Sequence, residues 1–263
     1  MNSLEHKKII VTGAGSGIGL AIIELLYPNT QELLAVDISL DRLQQLRQRF
    51  PKMKGLLRAD LSQKSGVEKV ISWVDQHWKQ VDFCFANAGK AEFGPFDRQD
   101  WKTMEELFQL NVFSPIQLGL DLKKSFAGPH FRHVITCSAM AYWSVPGYSA
   151  YSSTKAAVLR WAETVWSERD GDWLSLAFPI ATNTAFFEEA GEEIPKAFPI
   201  QSSTWVAQKM IRGAIKGKKK IHPSLLFQLM LWINARLGGI RQIYQQIELV
   251  KFRGWIVKQT QNQ

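Results

Sequence analysis

The chain is short of cysteine, of long apolar runs and, over its last quarter, of acid. Its two cysteines, Cys84 and Cys137, sit in the apolar stretches FCFAN and VITCSA and form no C-x-x-C pair. That argues against a disulfide framework and for buried free thiols in a reducing compartment; no metal site is read from the sequence. The amino-terminal stretch MNSLEHKKII turns apolar only at Ile9, for three residues, too briefly for a secretory signal, so a cytoplasmic location is expected. The longest apolar run near the carboxyl end, Leu229 to Ile233, is far below the ~20 residues that span a bilayer. No internal repeat or low-complexity segment occurs. With 263 residues and 46% hydrophobic content, one sizeable core is expected.

The net charge of +8 is unevenly spread. Residues 201 to 263 hold eleven Lys or Arg against Glu248 alone, so the first 200 residues stand at about −2. The basicity belongs to the tail. It does not signal nucleic acid, because no recognition motif accompanies it.

Short apolar and β-branched runs alternate with longer segments of helical period, as in strands paired in parallel through crossover helices. Strands are predicted at 8–13, 33–38, 55–60, 82–87, 133–138 and 174–179, with a weak one near Lys220 to His222. Helices are predicted at 18–26, 40–50, 64–79, 98–126, 151–168 and 204–216. The fold class is α/β, a doubly wound Rossmann sheet over residues 1–222. Residues 223–263 form a basic, apolar helical extension of the same domain, interrupted at Gly238-Gly239.

The stretch IIVTGAGSGIGLAI, Ile9 to Ile22, lies between the first strand and the first helix. Gly13 lets the chain leave the strand sharply, Gly17 lets backbone approach a pyrophosphate, and Gly19 lets the helix pack close to the sheet. The helix N-terminus, at Ser16, Gly17 and Ile18, offers N–H groups and a positive dipole end to phosphate. Asp37 ends the second strand, where a carboxylate accepts from both ribose hydroxyls and repels a 2′-phosphate; NAD(H) is therefore expected over NADP(H). No basic residue stands in the turn itself.

The spacing of Gly13, Gly17 and Gly19 after Thr12 resembles the classical short-chain dehydrogenase/reductase family, and the resemblance runs through most of residues 5 to 222. Asp60 and Leu61, in RADLS, match the family's acidic position that meets the adenine. Asn87, Ala88 and Gly89 match its N-A-G turn, and Asn111, in LNVF, its helix asparagine. Ser138, Tyr151 and Lys155 stand in the order and spacing of its catalytic residues. The resemblance implies that Asn111 positions a water linking Lys155 to solvent, that Pro179 and Thr184 border the nicotinamide, and that the chain assembles as a homodimer or homotetramer.

The chemistry has its own argument. Tyr151 and Lys155 are four residues apart, on one face of a helix. An ammonium beside a phenol favours phenolate, so the Tyr151 pKa should fall toward the working range of a general acid/base. Ser138 would hydrogen-bond the same substrate oxygen.

The chain departs from the family at PIATNT, where Ile180 replaces a glycine after Pro179; a β-branched residue there should keep φ negative. Residues 185–203 hold the place of the substrate loop. Glu188, Glu189, Glu192 and Glu193 beside Phe186, Phe187 and Phe198 suggest an amphipathic lid. Met140, Tyr142, Trp143 and Tyr148 add apolar surface, pointing to a hydrophobic or bulky alcohol or ketone. The tail is read as a helix over the pocket or at a subunit interface; its KGKKK run and apolar stretch are also compatible with peripheral contact to anionic lipid. The alternative function is a catalytically idle NAD sensor that uses the tail for a membrane or partner.

Overall fold

The computed structural model describes residues 4–184, 186, 190–191, 193–195 and 198–261. Seven parallel strands form one sheet in the order β3-β2-β1-β4-β5-β6-β9. They are β1 (Ile9–Thr12), β2 (Leu33–Asp37), β3 (Gly55–Arg58), β4 (Val81–Ala86), β5 (Ala127–Thr136), β6 (Leu174–Ala177) and β9 (Lys220–Ile221). Every residue of β1, β2, β4 and β6 is buried, as expected of strands covered on both faces.

The period of two along each strand divides the core. Ile10 faces a cluster with Val67, Val70 and Val74 of α3 (Lys64–His77), Leu118 and Leu122 of α5 (Ser114–Ser125), and Val158, Leu159 and Ala162 of α6 (Ser149–Ser167). Its neighbours Ile9 and Val11 face the other side. There they meet Ile22, Ile23 and Leu26 of α1 (Gly17–Leu26), Leu43 and Leu46 of α2 (Leu40–Arg49), and Val206 and Met210 of α7 (Ser203–Ile215). Strand order reverses at β1 and β4, which opens a crevice at their carboxyl ends, the place where doubly wound sheets hold ligands.

The helix expected over 98–126 is broken. The segment comprises α4 (Trp101–Phe108), a π-helical turn over Gln109–Phe113, and α5. Pro115 has no N–H to give the Asn111 carbonyl in α register, and the Ser114 N–H reaches back to the Gln109 carbonyl instead. Asn111 thus sits on a local bulge of the chain.

Two short strands also escaped the sequence pattern, being two residues each. β7 (Thr182–Asn183) and β8 (Gln201–Ser202) pair in parallel and tie together the ends of the 185–203 segment. Residues 185, 187–189, 192, 196 and 197, including Phe187, Glu188, Glu189 and Glu192 of the expected lid, lie outside the described residues.

The tail is two helices, α8 (Leu225–Leu237) and α9 (Ile240–Gln261), joined through Gly238 and Gly239 at φ +70° and +83°. Ser224 caps α8 by accepting the Phe227 N–H at 3.1 Å. The Gln245 amide donates to the carbonyl and hydroxyl of Ser144, at 3.0 and 3.1 Å, and holds α9 to the loop that follows β5. No helix among the described residues is long and apolar enough to cross a membrane.

Candidate active site

The glycine turn is packed so that side chains cannot enter it. A Cβ on Gly19 would lie 2.0 Å from the Gly13 carbonyl oxygen, and one on Gly13, at φ +60°, would lie 3.0 Å from the Ala88 backbone. Gly17, at φ +53°, faces the Thr184 side chain. Ser16 precedes α1 without a side-chain cap, so the helix start keeps its N–H groups for another acceptor. The Thr12 hydroxyl accepts the N–H groups of Asn87 and Ala88, both at 3.0 Å, and fixes the N-A-G turn beside the glycines. Thr136 donates to the Asn87 side-chain oxygen at 3.1 Å from the next strand. Gly-rich backbone, a helix start without a side-chain cap and an acidic residue at the end of β2 fit a dinucleotide.

Asp37 is buried at the edge of this turn. Its two oxygens accept the Gly15 and Ser39 N–H groups, at 2.8 and 3.0 Å. Arg42 of α2 packs on Gly15 and lines the same end of the crevice, so a basic side chain adjoins a turn that has none in its own sequence. Asp60 accepts from the N–H and hydroxyl of Ser62, at 2.9 and 2.7 Å, a turn that aims its loop at the crevice.

Ser138, just past the end of β5, and Tyr151, in the first turn of α6, both line the crevice, and the Ser138 hydroxyl accepts the Met140 N–H at 3.1 Å. Burial pushes the Tyr151 phenol above its ordinary pKa, and the nearby Ser138 hydroxyl only partly opposes this. The expected fall is therefore not seen. Lys155 Nζ sits 5.5 Å from the Tyr151 ring centroid and donates to the Thr136 carbonyl at 3.0 Å; burial lowers its own pKa. Desolvation is the largest influence on the phenol.

Asn111 does not line the crevice. Its amide nitrogen donates to the Lys90 carbonyl at 2.9 Å and the Thr154 hydroxyl at 3.2 Å, and its oxygen accepts the Lys90 N–H at 3.1 Å. The side chain thereby pins the loop after Gly89 to α6 and has no donor left over.

One cavity of about 1090 Å³ joins all this. Gly13, Ser16, Gly17, Ile18, Asp37, Asp60, Leu61, Asn87, Ala88, Gly89, Ser138, Tyr151, Lys155, Pro179 and Thr184 all line it. Of the expected site residues only Gly19 and Asn111 stand behind its wall. Ile180 lines the cavity too and does not appear among the described residues of positive φ.

Beyond Tyr151 the cavity widens into an apolar chamber. Phe186 lies 5.9 Å from the Tyr151 ring and Tyr148 lies 6.1 Å from it, while Phe93 packs on Tyr148 at 4.8 Å. Met140 and Trp143 line it as expected. Tyr142 does not: it turns into the core against Phe178, at 4.8 Å. The far wall comes from the tail, with Phe227 and Met230 of α8 and Tyr244, Glu248, Lys251 and Phe252 of α9. Sequence reasoning missed these residues as chamber lining; the one available signal was Glu248, the lone acid of a basic tail.

A family model described as short chain dehydrogenase matches residues 7–192. A fatty acyl-CoA reductase of Mycobacterium tuberculosis is 26% identical over 253 residues, 88% of this chain and 84% of that protein. Among solved structures, a short chain dehydrogenase/reductase of Burkholderia phymatum in complex with NAD has a TM-score of 0.77 at 18% identity, covering 89% of this chain and 95% of that one. A short-chain dehydrogenase of Sphingobium yanoikuyae in complex with NADPH has a TM-score of 0.72 at 22% identity, covering 88% and 94%. With the glycine turn, the N-A-G turn and the Ser138, Tyr151 and Lys155 side chains gathered along one crevice, and with 7–192 matched, the chain belongs to the short-chain dehydrogenase family.

Proposed function

We propose that the protein moves a hydride between NAD(H) and the hydroxyl or carbonyl carbon of a hydrophobic alcohol or ketone. The observation that carries this reading is the placement of Ser138, Tyr151 and Lys155 together in the lining of an apolar chamber continuous with the glycine turn. When bound, the dinucleotide supplies the hydride donor or acceptor and, when oxidised, a positive charge. In ketone reduction Tyr151 gives its proton to the carbonyl oxygen, and in alcohol oxidation it takes the hydroxyl proton; such transfers contribute roughly 10²- to 10⁴-fold. Ser138 hydrogen-bonds the same oxygen. Lys155 carries the positive charge that steadies phenolate and holds the nicotinamide ribose, while Asn111 acts by fixing the Lys90 loop. Thr184 and Pro179 close the nicotinamide end, and Gly13 to Gly19 with Asp60, Leu61 and the N-A-G turn hold the rest.

Asp37 supports NAD over NADP, because a 2′-phosphate would meet a carboxylate. The apolar lining supports a lipophilic substrate, as does similarity to a fatty acyl-CoA reductase. The complete set of Ser138, Tyr151 and Lys155 weighs against an idle NAD sensor. A panel of hydrophobic alcohols and ketones, followed by NADH absorbance, tests the reading; NADH binding without turnover of any member would refute it.

The assembled protein is read as a cytoplasmic homodimer or homotetramer built partly on α6, which sedimentation velocity tests. A second reading concerns the outer face of the tail. Leu225, Leu229 and Trp232 of α8 and Ile243, Ile247 and Val250 of α9 are exposed, and Arg236 stacks on Trp232 at 3.9 Å. Exposed apolar residues beside cations support peripheral contact with an anionic membrane. Flotation with phosphatidylserine vesicles, absent with phosphatidylcholine alone, is the expected result; no flotation with either overturns it.

A further inference from the structure

Helix α9 packs Tyr244, Phe252 and Trp255 onto the apolar cluster around Tyr148 and Tyr151. Ile243, Ile247 and Val250 face solvent, and the one buried residue among its described positions is Glu248, 7% exposed. Glu248 is also the only acid in residues 201–263. Burying a carboxylate while leaving three aliphatic side chains in water runs against the transfer free energies of both groups. The carboxylate therefore sits on a helix face that otherwise packs through the aromatic side chains of Tyr244, Phe252 and Trp255.

The carboxylate is answered by Lys251, one turn on, whose ammonium lies 2.7 Å from it with its side chain about one-third exposed. Both groups line the chamber. The negative charge is felt by the phenols of Tyr148 and Tyr244, which burial and then Glu248 push above the ordinary tyrosine value, Tyr244 to about 12. Because the Tyr148 ring is 6.1 Å from that of Tyr151, the ion pair stands one aromatic layer from the reacting end. Phe93, Val145, Phe186 and Phe252 also line the cavity and pack in one apolar cluster with Tyr148, Tyr151 and Tyr244.

We infer that Glu248 and Lys251 form a polar subsite at the far end of the substrate chamber, which binds a hydroxyl group remote from the reacting carbon. The substrate class is then a hydroxy-ketone or diol with an apolar segment between its two oxygens. A hydroxyl both accepts from the ammonium and donates to the carboxylate, whereas a ligand ammonium would face Lys251 and a ligand carboxylate would face Glu248. The subsite rests on the oxidoreductase reading for the identity of the reacting end.

The test uses the full chain and methyl ketones from hexan-2-one to dodecan-2-one, each with and without a terminal hydroxyl. The NADH-dependent kcat/KM of each pair is measured, together with calorimetric Kd for the same ligands. At one chain length the hydroxylated member is expected to be favoured by roughly 10-fold or more, in line with a hydrogen bond to a charged group. Glu248→Leu brings that ratio to about one, and Lys251→Gln, at a partly exposed position that folding tolerates, reduces it. A ratio near one at every length in the wild type, or an unchanged ratio in both variants, overturns the subsite. If no ketone is reduced, the oxidoreductase reading fails separately, and the Kd ratios still decide whether the subsite exists.

Discussion

Lys155 Nζ lies 5.5 Å from the centroid of the Tyr151 ring and gives its hydrogen bond to the Thr136 carbonyl. The ammonium is thus held beside the phenol by the end of β5, without bonding to it. Replacing Tyr151 with Phe keeps the ring packing on Phe186 and Tyr148 and removes the proton carrier. Turnover is expected to fall by roughly 10²- to 10⁴-fold with NADH affinity unchanged, measured by single-turnover kinetics and fluorescence titration. Since burial raises the free phenol, alcohol oxidation should climb with pH as the small phenolate fraction grows, while ketone reduction stays level until the phenol ionises. A flat profile in both directions would remove Tyr151 from the chemistry.

Cofactor choice turns on Asp37. Asp37→Ser withdraws the carboxylate from the Gly15 and Ser39 N–H groups and leaves Arg42 beside the turn. The ratio of kcat/KM for NADH over NADPH should fall by roughly 10-fold or more, about the worth of one charge-assisted contact. Tighter NADPH than NADH binding in the wild type would contradict the role given to this residue.

Gly19 has no room for a methyl group. Gly19→Ala would set a carbon 2.0 Å from the Gly13 carbonyl oxygen, which is backbone and cannot swing aside. The start of α1 must shift from the sheet, so dinucleotide affinity and melting temperature should drop together. Gly254→Ala, inside α9 where a Cβ meets nothing within 4 Å, is the matched control and should leave dinucleotide affinity unchanged without lowering the melting temperature, since alanine favours helix over glycine. Equal behaviour of the two variants in thermal melts would show that the turn is looser than its geometry.

His133 sets an acid limit on stability. It is fully buried, its Nε2 is 2.8 Å from the Pro115 carbonyl, and its Nδ1 has no hydrogen-bond partner among the described residues. Burial lowers its pKa from 6.5 to about 4. A depressed folded-state value means stability that is present above about 6.5 and lost as pH falls through about 4. The loss attributable to this one group is about 3 kcal/mol at most. Denaturant midpoints between these limits should slope downward with acid, and His133→Gln should flatten the slope. The same slope in the variant would assign acid sensitivity elsewhere.

Local rules carried much of the fold and most of the candidate site. The central strands β1 and β2 announced themselves by apolar runs, because a strand covered on both faces needs no polar alternation, whereas β9, Lys220–Ile221, gave only a weak signal and β5 begins at Ala127, before its apolar run. The positions of Gly13, Gly17 and Gly19 were readable because a tight turn and a close helix admit no side chain, a constraint that acts within seven residues. The i, i+4 spacing likewise put Tyr151 and Lys155 on one helical face before any tertiary contact was known. Even the break at Asn111 had a local cause in Pro115.

What the sequence by itself determined, then, was element type, strand sequence along the chain and the residues that meet at the sheet's carboxyl end. Only the tertiary structure decided which way a side chain looks once its element is placed. Tyr142 turns into the core while Tyr148 turns into the chamber, although both lie in one loop. Asn111 meets Lys90 and Thr154 instead of the crevice. In α9, the face that carries Phe252 and Trp255 packs on Phe93, and Glu248 is turned inward with it. Such choices depend on long-range packing partners, and so Glu248, conspicuous as a lone acid, became a chamber wall only in three dimensions.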